Sequence, residues 1–131
     1  MKVSFADFDL PKQLNSALEK LGISSEVIDI QSLIPFDISH EIAESVKKTN
    51  RLVIIDEDVE GGTSAFILQQ IVEKQKAFRY LDSAPLTIAA NDHRPAYASD
   101  GDYFSKPSVD DMVEKVYGIF HEANPSQFPK I

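Results

Sequence analysis

The stretch RLVIIDE, Arg51 to Glu57, sets four apolar residues in an unbroken row, and three of them, Val53, Ile54 and Ile55, are β-branched. A strand with one face in water alternates apolar and polar residues. A continuous apolar run leaves neither face polar, so this segment predicts a strand covered on both sides.

The flanking sequence supplies the covers. KVSFA is a short β-prone run, followed by Asp9 at an N-cap position, Pro11 in the first turn and Gly22 as a stop. Leu10, Leu14, Ala17, Leu18 and Leu21 fall at helical spacing, predicting a helix from Leu10 to Leu21. SSEVIDIQ reads as a second strand by period and β-branching. Pro35 blocks its continuation, Asp37 stands as a cap, and Ile38, Ile42 and Val46 predict a helix ending near Asn50. Beyond RLVIIDE, Ala65 to Leu81 reads as one long helix and APLTIAA as a further strand. Ser108, with Asp111 three residues on, signals a capped last helix striped by Val109, Met112, Val113, Val116, Tyr117 and Phe120. Such alternation predicts an α/β domain, with right-handed crossovers and a mostly parallel sheet between helices. The irregular parts are Asn91 to Ser108, rich in Asp, Tyr and Pro, and the tail NPSQFPKI.

At 131 residues the chain has the length of one domain with a proper core. It has no cysteine, which excludes disulfides, thiolate nucleophiles and sulfur-based zinc sites. The missing cysteine makes a reducing, cytoplasmic setting the expectation, and a soluble chain is expected because no apolar run approaches the roughly 20 residues that span a bilayer. Lys+Arg 13 against Asp+Glu 21 gives a formal charge of −8, which disfavours nucleic acid and anionic membranes and favours basic partners.

Several constellations invite a chemical reading. After the apolar run come Asp56, Glu57, Asp58 and Glu60, then Gly61, Gly62 and a hydroxyl-rich helix start. A strand, a glycine turn and a helix N-terminus together suggest an anion cradle. Against it, a helix end offers about half a positive charge and no Lys or Arg lies between Arg51 and Lys74. The same carboxylates could serve as acid and base or hold a divalent cation, but their spacing is not that of a calcium loop. An acidic rim with a side chain capping the helix is the simplest reading. His40 and Glu44, four apart, make half a metal site without a third ligand. His93 lies beside Asp92 and Arg94 beyond a strand end, where α/β ligands bind. His121 falls where it would answer the negative end of the last helix. GGTSA is not a nucleophile elbow, and neither G-x-G-x-x-G nor a P-loop occurs. SDGDYF lacks the preceding strand and following asparagine of a diphosphate-cofactor motif. No catalytic, cofactor-binding or metal residue is therefore assigned.

The blocks EVIDIQSLIPFD, ESVKKTNRLVIIDED and GGTSAFILQQIVEKQKAFRYLDSAPLTIAANDHRPAYA, in that order, resemble the C-terminal domain of transketolase-like thiamine enzymes. Closest in look is the beta subunit of 2-oxo acid dehydrogenases acting on pyruvate or branched-chain 2-oxoisovalerate. The resemblance runs from about Leu18 onward and implies one domain over residues 1–131, with a divergent first βα unit (about 1–21) and a tail at 122–131. It implies a three-layer α/β/α fold on a mostly parallel, mixed five-stranded sheet with one antiparallel edge strand. It also implies a non-catalytic assembly domain, inactive alone, because thiamine diphosphate and magnesium lie in other domains of such enzymes. Expected partners are those remaining domains or subunits, a second copy in a homodimer, and the basic subunit-binding domain of the dihydrolipoyl acyltransferase core. Candidate docking or cleft residues are Asp56, Glu57, Asp58, Asp92, His93 and the terminal Ile131, with Gly61 and Gly62 as the structural turn.

Two departures are visible. KVSFADFDLP stands where the family has a Tyr-Gly-Ser turn, and HRPAY keeps only part of a proline-rich run, so no contacts carry over to His93 or Arg94. Two other readings stay open at this point. One is a stand-alone ligand-binding domain or small enzyme using a cleft at Asp56, Glu57, Asp92 and His93; the other is the C-terminal domain of another transketolase-superfamily enzyme.

Overall fold

A computed structural model describes residues 2–3, 9–90 and 108–131. Strand β1 (Lys2–Val3) precedes helix α1 (Asp9–Lys20), strand β2 (Glu26–Val27) and helix α2 (Glu41–Thr49). Strand β3 (Val53–Val59) then leads into helix α3 (Thr63–Gln69), and strand β4 (Leu86–Ala90) and helix α4 (Val109–Ala123) follow. Strands β1 and β2 pair in parallel, as do β3 and β4, and β1 lies against β3.

The apolar run does what its pattern predicts. Val53 and Ile55 turn to one face of the sheet, where they join Leu14 and Leu18 of α1, Ile88 of β4, Met112 and Val116 of α4, and Phe128. Leu52 and Ile54 turn to the other, against Ile42 and Val46 of α2, Ile67 of α3, Ile71 and Ala77. Alternate side chains of one strand thus feed two cores, which makes three layers with the sheet in the middle.

The five-stranded mixed sheet is not found among the described residues. Among the described residues there are four strands in two parallel pairs and no antiparallel edge strand. Residues 124–131 do not supply one: Pro125 and Pro129 lack the N–H groups a ladder needs, and the segment folds back on α4 instead. The second strand is also shorter than the alternation in SSEVIDIQ predicts, with ladder pairing at Glu26 and Val27.

Helix ends explain the remaining shifts. Gly22, at φ 81°, closes α1 in a Schellman arrangement: the Ile23 N–H reaches the Leu18 carbonyl at 2.9 Å and the Gly22 N–H the Glu19 carbonyl at 3.0 Å. Asp37 does cap α2, but from one turn farther out, its carboxylate accepting from the N–H groups of Glu41 (3.1 Å) and Ile42 (2.9 Å). Ile38 therefore falls in the turn and is 76% exposed. The long helix expected over Ala65 to Leu81 is broken. It widens into a π turn at Gln70–Lys74, reverses at Lys76 (φ 59°) and resumes as a 3₁₀ turn over Ala77–Tyr80. Six residues on a straight helix rotate by about 240°, so Ile71 and Ala77 could not share one core without this break. The Gln75 side chain ties it down, donating to the Asp37 carboxylate at 2.9 Å. On α4, Ser108 and Asp111 form both halves of the capping box. No described helix is long and apolar enough to cross a membrane.

Candidate functional site

The carboxyl end of β3 is irregular. Ile55 pairs with Ile88 and Val59 with Ala90, so four steps along β3 match two along β4, and two extra residues are held in a bulge. That bulge displays Asp56 and Glu57, half-buried, and Asp58, exposed. Glu60, Gly61 and Gly62 follow at the surface.

Asp56 is spoken for by the backbone. One carboxylate oxygen accepts from the Asp58 N–H at 3.0 Å, the other from the Ser64 N–H at 3.0 Å. Gly62 precedes α3 and has no side chain to cap it, so Asp56, eight residues before Ser64, performs that work. Asp58 accepts from the next N–H, that of Val59, at 2.8 Å. Of the two glycines, Gly61 carries the conformational need, at φ 90°. Gly62 has φ −88°, and a β-carbon there would meet Asp58 Oδ2 at 3.6 Å and the Val59 carbonyl at 3.7 Å, ordinary contacts.

This turn does not fit a diphosphate. The N–H that a phosphate would use is already taken by a carboxylate, and further carboxylates stand around it. Among the described residues no group of three His, Asp or Glu side chains is placed to hold a metal ion. His40 precedes α2 in a left-handed conformation (φ 55°) and is exposed, as is Glu44.

Asp92 and His93, with Arg94, lie outside the described residues. Ile131 is 74% exposed. It is placed through α4 by the tail, where the Tyr117 hydroxyl donates to the Pro129 carbonyl at 2.8 Å and Phe128 packs edge-on to Tyr117 and Phe120. His121 answers the tail: its Nδ1 lies 2.7 Å from the Phe128 carbonyl and so carries the proton of that hydrogen bond.

A second cleft, missed by sequence reasoning, opens at the opposite end of the sheet. Gly22, Ser24, Ser25, Glu26, Lys48, Thr49, Arg51 and Phe120 line it. No motif marks it, because it is assembled from the start of two strands and the ends of three helices.

Comparison with known proteins places the chain. The family model for the transketolase C-terminal domain matches residues 12–111. Pyruvate dehydrogenase E1 component subunit beta-2, mitochondrial, of Oryza sativa subsp. japonica is 39% identical over 114 residues, 86% of this chain and 30% of that protein. Pyruvate dehydrogenase E1 component subunit beta of Rhizobium meliloti (strain 1021) is 36% identical over 107 residues, 80% of this chain and 22% of that protein. The corresponding subunit of Rickettsia conorii is 40% identical over 96 residues, 72% of this chain and 28% of that protein. The chain thus spans less than a third of the length of these curated relatives. With alternating strands and helices in three layers, and a family match over most of its residues, the chain belongs to the transketolase C-terminal domain family.

Proposed function

We propose that this domain is a non-catalytic assembly module of a thiamine diphosphate-dependent 2-oxo acid dehydrogenase beta subunit. In this role it packs against the cofactor-bearing domains, pairs with a second copy, and offers its acidic rim to the basic subunit-binding domain of the acyltransferase core. One observation carries the reading. At the strand ends, where an α/β enzyme places its chemistry, the Asp56 carboxylate is spent on holding a turn and a helix start, while Asp58 and Glu60 stay exposed. An exposed acidic rim on a chain of charge −8 is suited to steering a basic partner. Likeness to beta subunits of pyruvate dehydrogenase supports pyruvate as the substrate of the whole enzyme.

The test is calorimetry on the 131-residue chain. A basic subunit-binding domain should bind with an affinity that falls as salt rises, and Asp58→Asn with Glu60→Gln should weaken it about tenfold. Thiamine diphosphate with magnesium should give no saturable heat. Saturable cofactor binding, or partner binding indifferent to salt and to the double variant, would overturn the proposal.

A further inference from the structure

The cleft at the amino-terminal end of β3 holds a cation, Arg51, for which no carboxylate partner is found among the described residues. Arg51 lies with its guanidinium carbon 4.5 Å from the centre of the Phe120 ring, and its Nε is buried without a hydrogen-bond partner. Glu26 is the carboxylate lining this cleft. It is already engaged at both oxygens: Lys48 bridges one and the Ser45 hydroxyl donates to the other. The neighbouring hydroxyls are committed as well, Ser25 donating to the Asn15 side chain and Thr49 to the Ser45 carbonyl at 2.8 Å. Ser24 remains exposed at the rim. In a chain with 21 acidic residues against 13 basic ones, an arginine with no carboxylate partner among the described residues runs against the average electrostatics.

We propose that this cleft is a carboxylate-binding site in which Arg51 is the recognition residue. The guanidinium fork matches a carboxylate through two parallel N–H donors. Phe120, with its ring centre 4.5 Å from the guanidinium carbon, steadies the fork and gives the ligand an apolar wall. Charge selects among anions. Lys48 and Glu26 cancel, leaving Arg51 as a single positive charge, so a monoanion is matched whereas the second charge of a phosphate would face Glu26. The ligand class is therefore a carboxylate, borne by a small acid or by a glutamate or aspartate of a peptide. This site is independent of the acidic rim and of the assembly role proposed above.

The experiment follows the side-chain Nε–H resonance of Arg51 in the ¹⁵N-labelled 131-residue chain at constant ionic strength. The probes are acetate, inorganic phosphate, and acetyl-Ala-Glu-Ala-amide beside its glutamine counterpart. Acetate and the glutamate peptide should shift the resonance saturably, at least fivefold more tightly than phosphate, and the glutamine peptide should not. The tighter of the two carboxylates identifies the source. Arg51→Lys, which keeps the charge but loses the fork, should weaken binding about tenfold, read from the amide signals of residues 22–26, while Phe120→Leu should weaken it less. A linear, unsaturated response, phosphate binding as tight as acetate, or unchanged binding in a folded Arg51→Lys variant would overturn the proposal.

Discussion

Removing the Asp56 carboxylate tests whether the acidic stretch is first a brace and only then a surface. In Asp56→Ala two N–H groups lose their acceptor. That of Ser64 is partly buried at the start of α3, and that of Asp58 is exposed. Loss of a charged acceptor at a helix start costs about 1–2 kcal/mol, and the exposed N–H, which water can reach, adds about 0.5 kcal/mol. Relief of repulsion among exposed neighbouring carboxylates returns at most a few tenths. The net is about 2 kcal/mol. For 131 residues the unfolding entropy is roughly 0.28 kcal/mol/K, so the midpoint should fall by about 7 °C. Asp56→Asn keeps one acceptor but turns an NH₂ toward the other donor, so it should recover less than half of the loss. Glu60→Gln, which removes a charge from the same exposed stretch, should stay within about 0.5 kcal/mol. Thermal and urea unfolding give the totals, and hydrogen exchange at the Ser64 amide localises the effect. A melting point for Asp56→Ala equal to that of Glu60→Gln, with Ser64 still protected, would refute the bracing role.

Three further outcomes are expected. Gly61→Ala should lose about 1–2 kcal/mol in urea unfolding because φ is 90°. Phe128→Ala removes a ring packed 5.3 Å from that of Phe120 and 6.0 Å from that of Tyr117. It should cost about 3 kcal/mol and release the tail, seen as faster hydrogen exchange and proteolysis after Asn124. The Ser108 hydroxyl, and after it the Ser108 N–H, hold the Asp111 carboxyl below its ordinary value of 3.8. A lowered folded value means that this stabilisation is complete above about pH 4 and is lost as pH falls through the folded value, so Asp111→Asn should flatten the urea midpoint's decline between pH 5 and 2 relative to wild type.

What could be read from residues alone was whatever depends on neighbours in the chain. The unbroken apolar run at Leu52–Ile55 dictates a strand covered twice, and both cores are found on it. Ser108 and Asp111, three apart, are a helix start because cap geometry is local, and Gly22 stops α1 for the same reason. The broken helix after α3 was beyond reach. Its periodicity is good, and the break is imposed by Ile71 and Ala77 needing one core and by Gln75 reaching Asp37, 38 residues away.

The two ends of the sheet divide in the same way. Sequence alone determined that carboxylates would crowd the end of β3, since four lie within five positions. Only the tertiary structure decided their roles, because whether a carboxylate braces a backbone or faces a partner depends on which N–H groups the bulge brings within 3 Å. At the other end no motif marks the site. Arg51 and Phe120 are 69 residues apart, and the Glu26 carboxylate is engaged by Lys48 and Ser45 of α2. A lone charge is defined by what has been taken from around it, and that is settled only when distant segments pack.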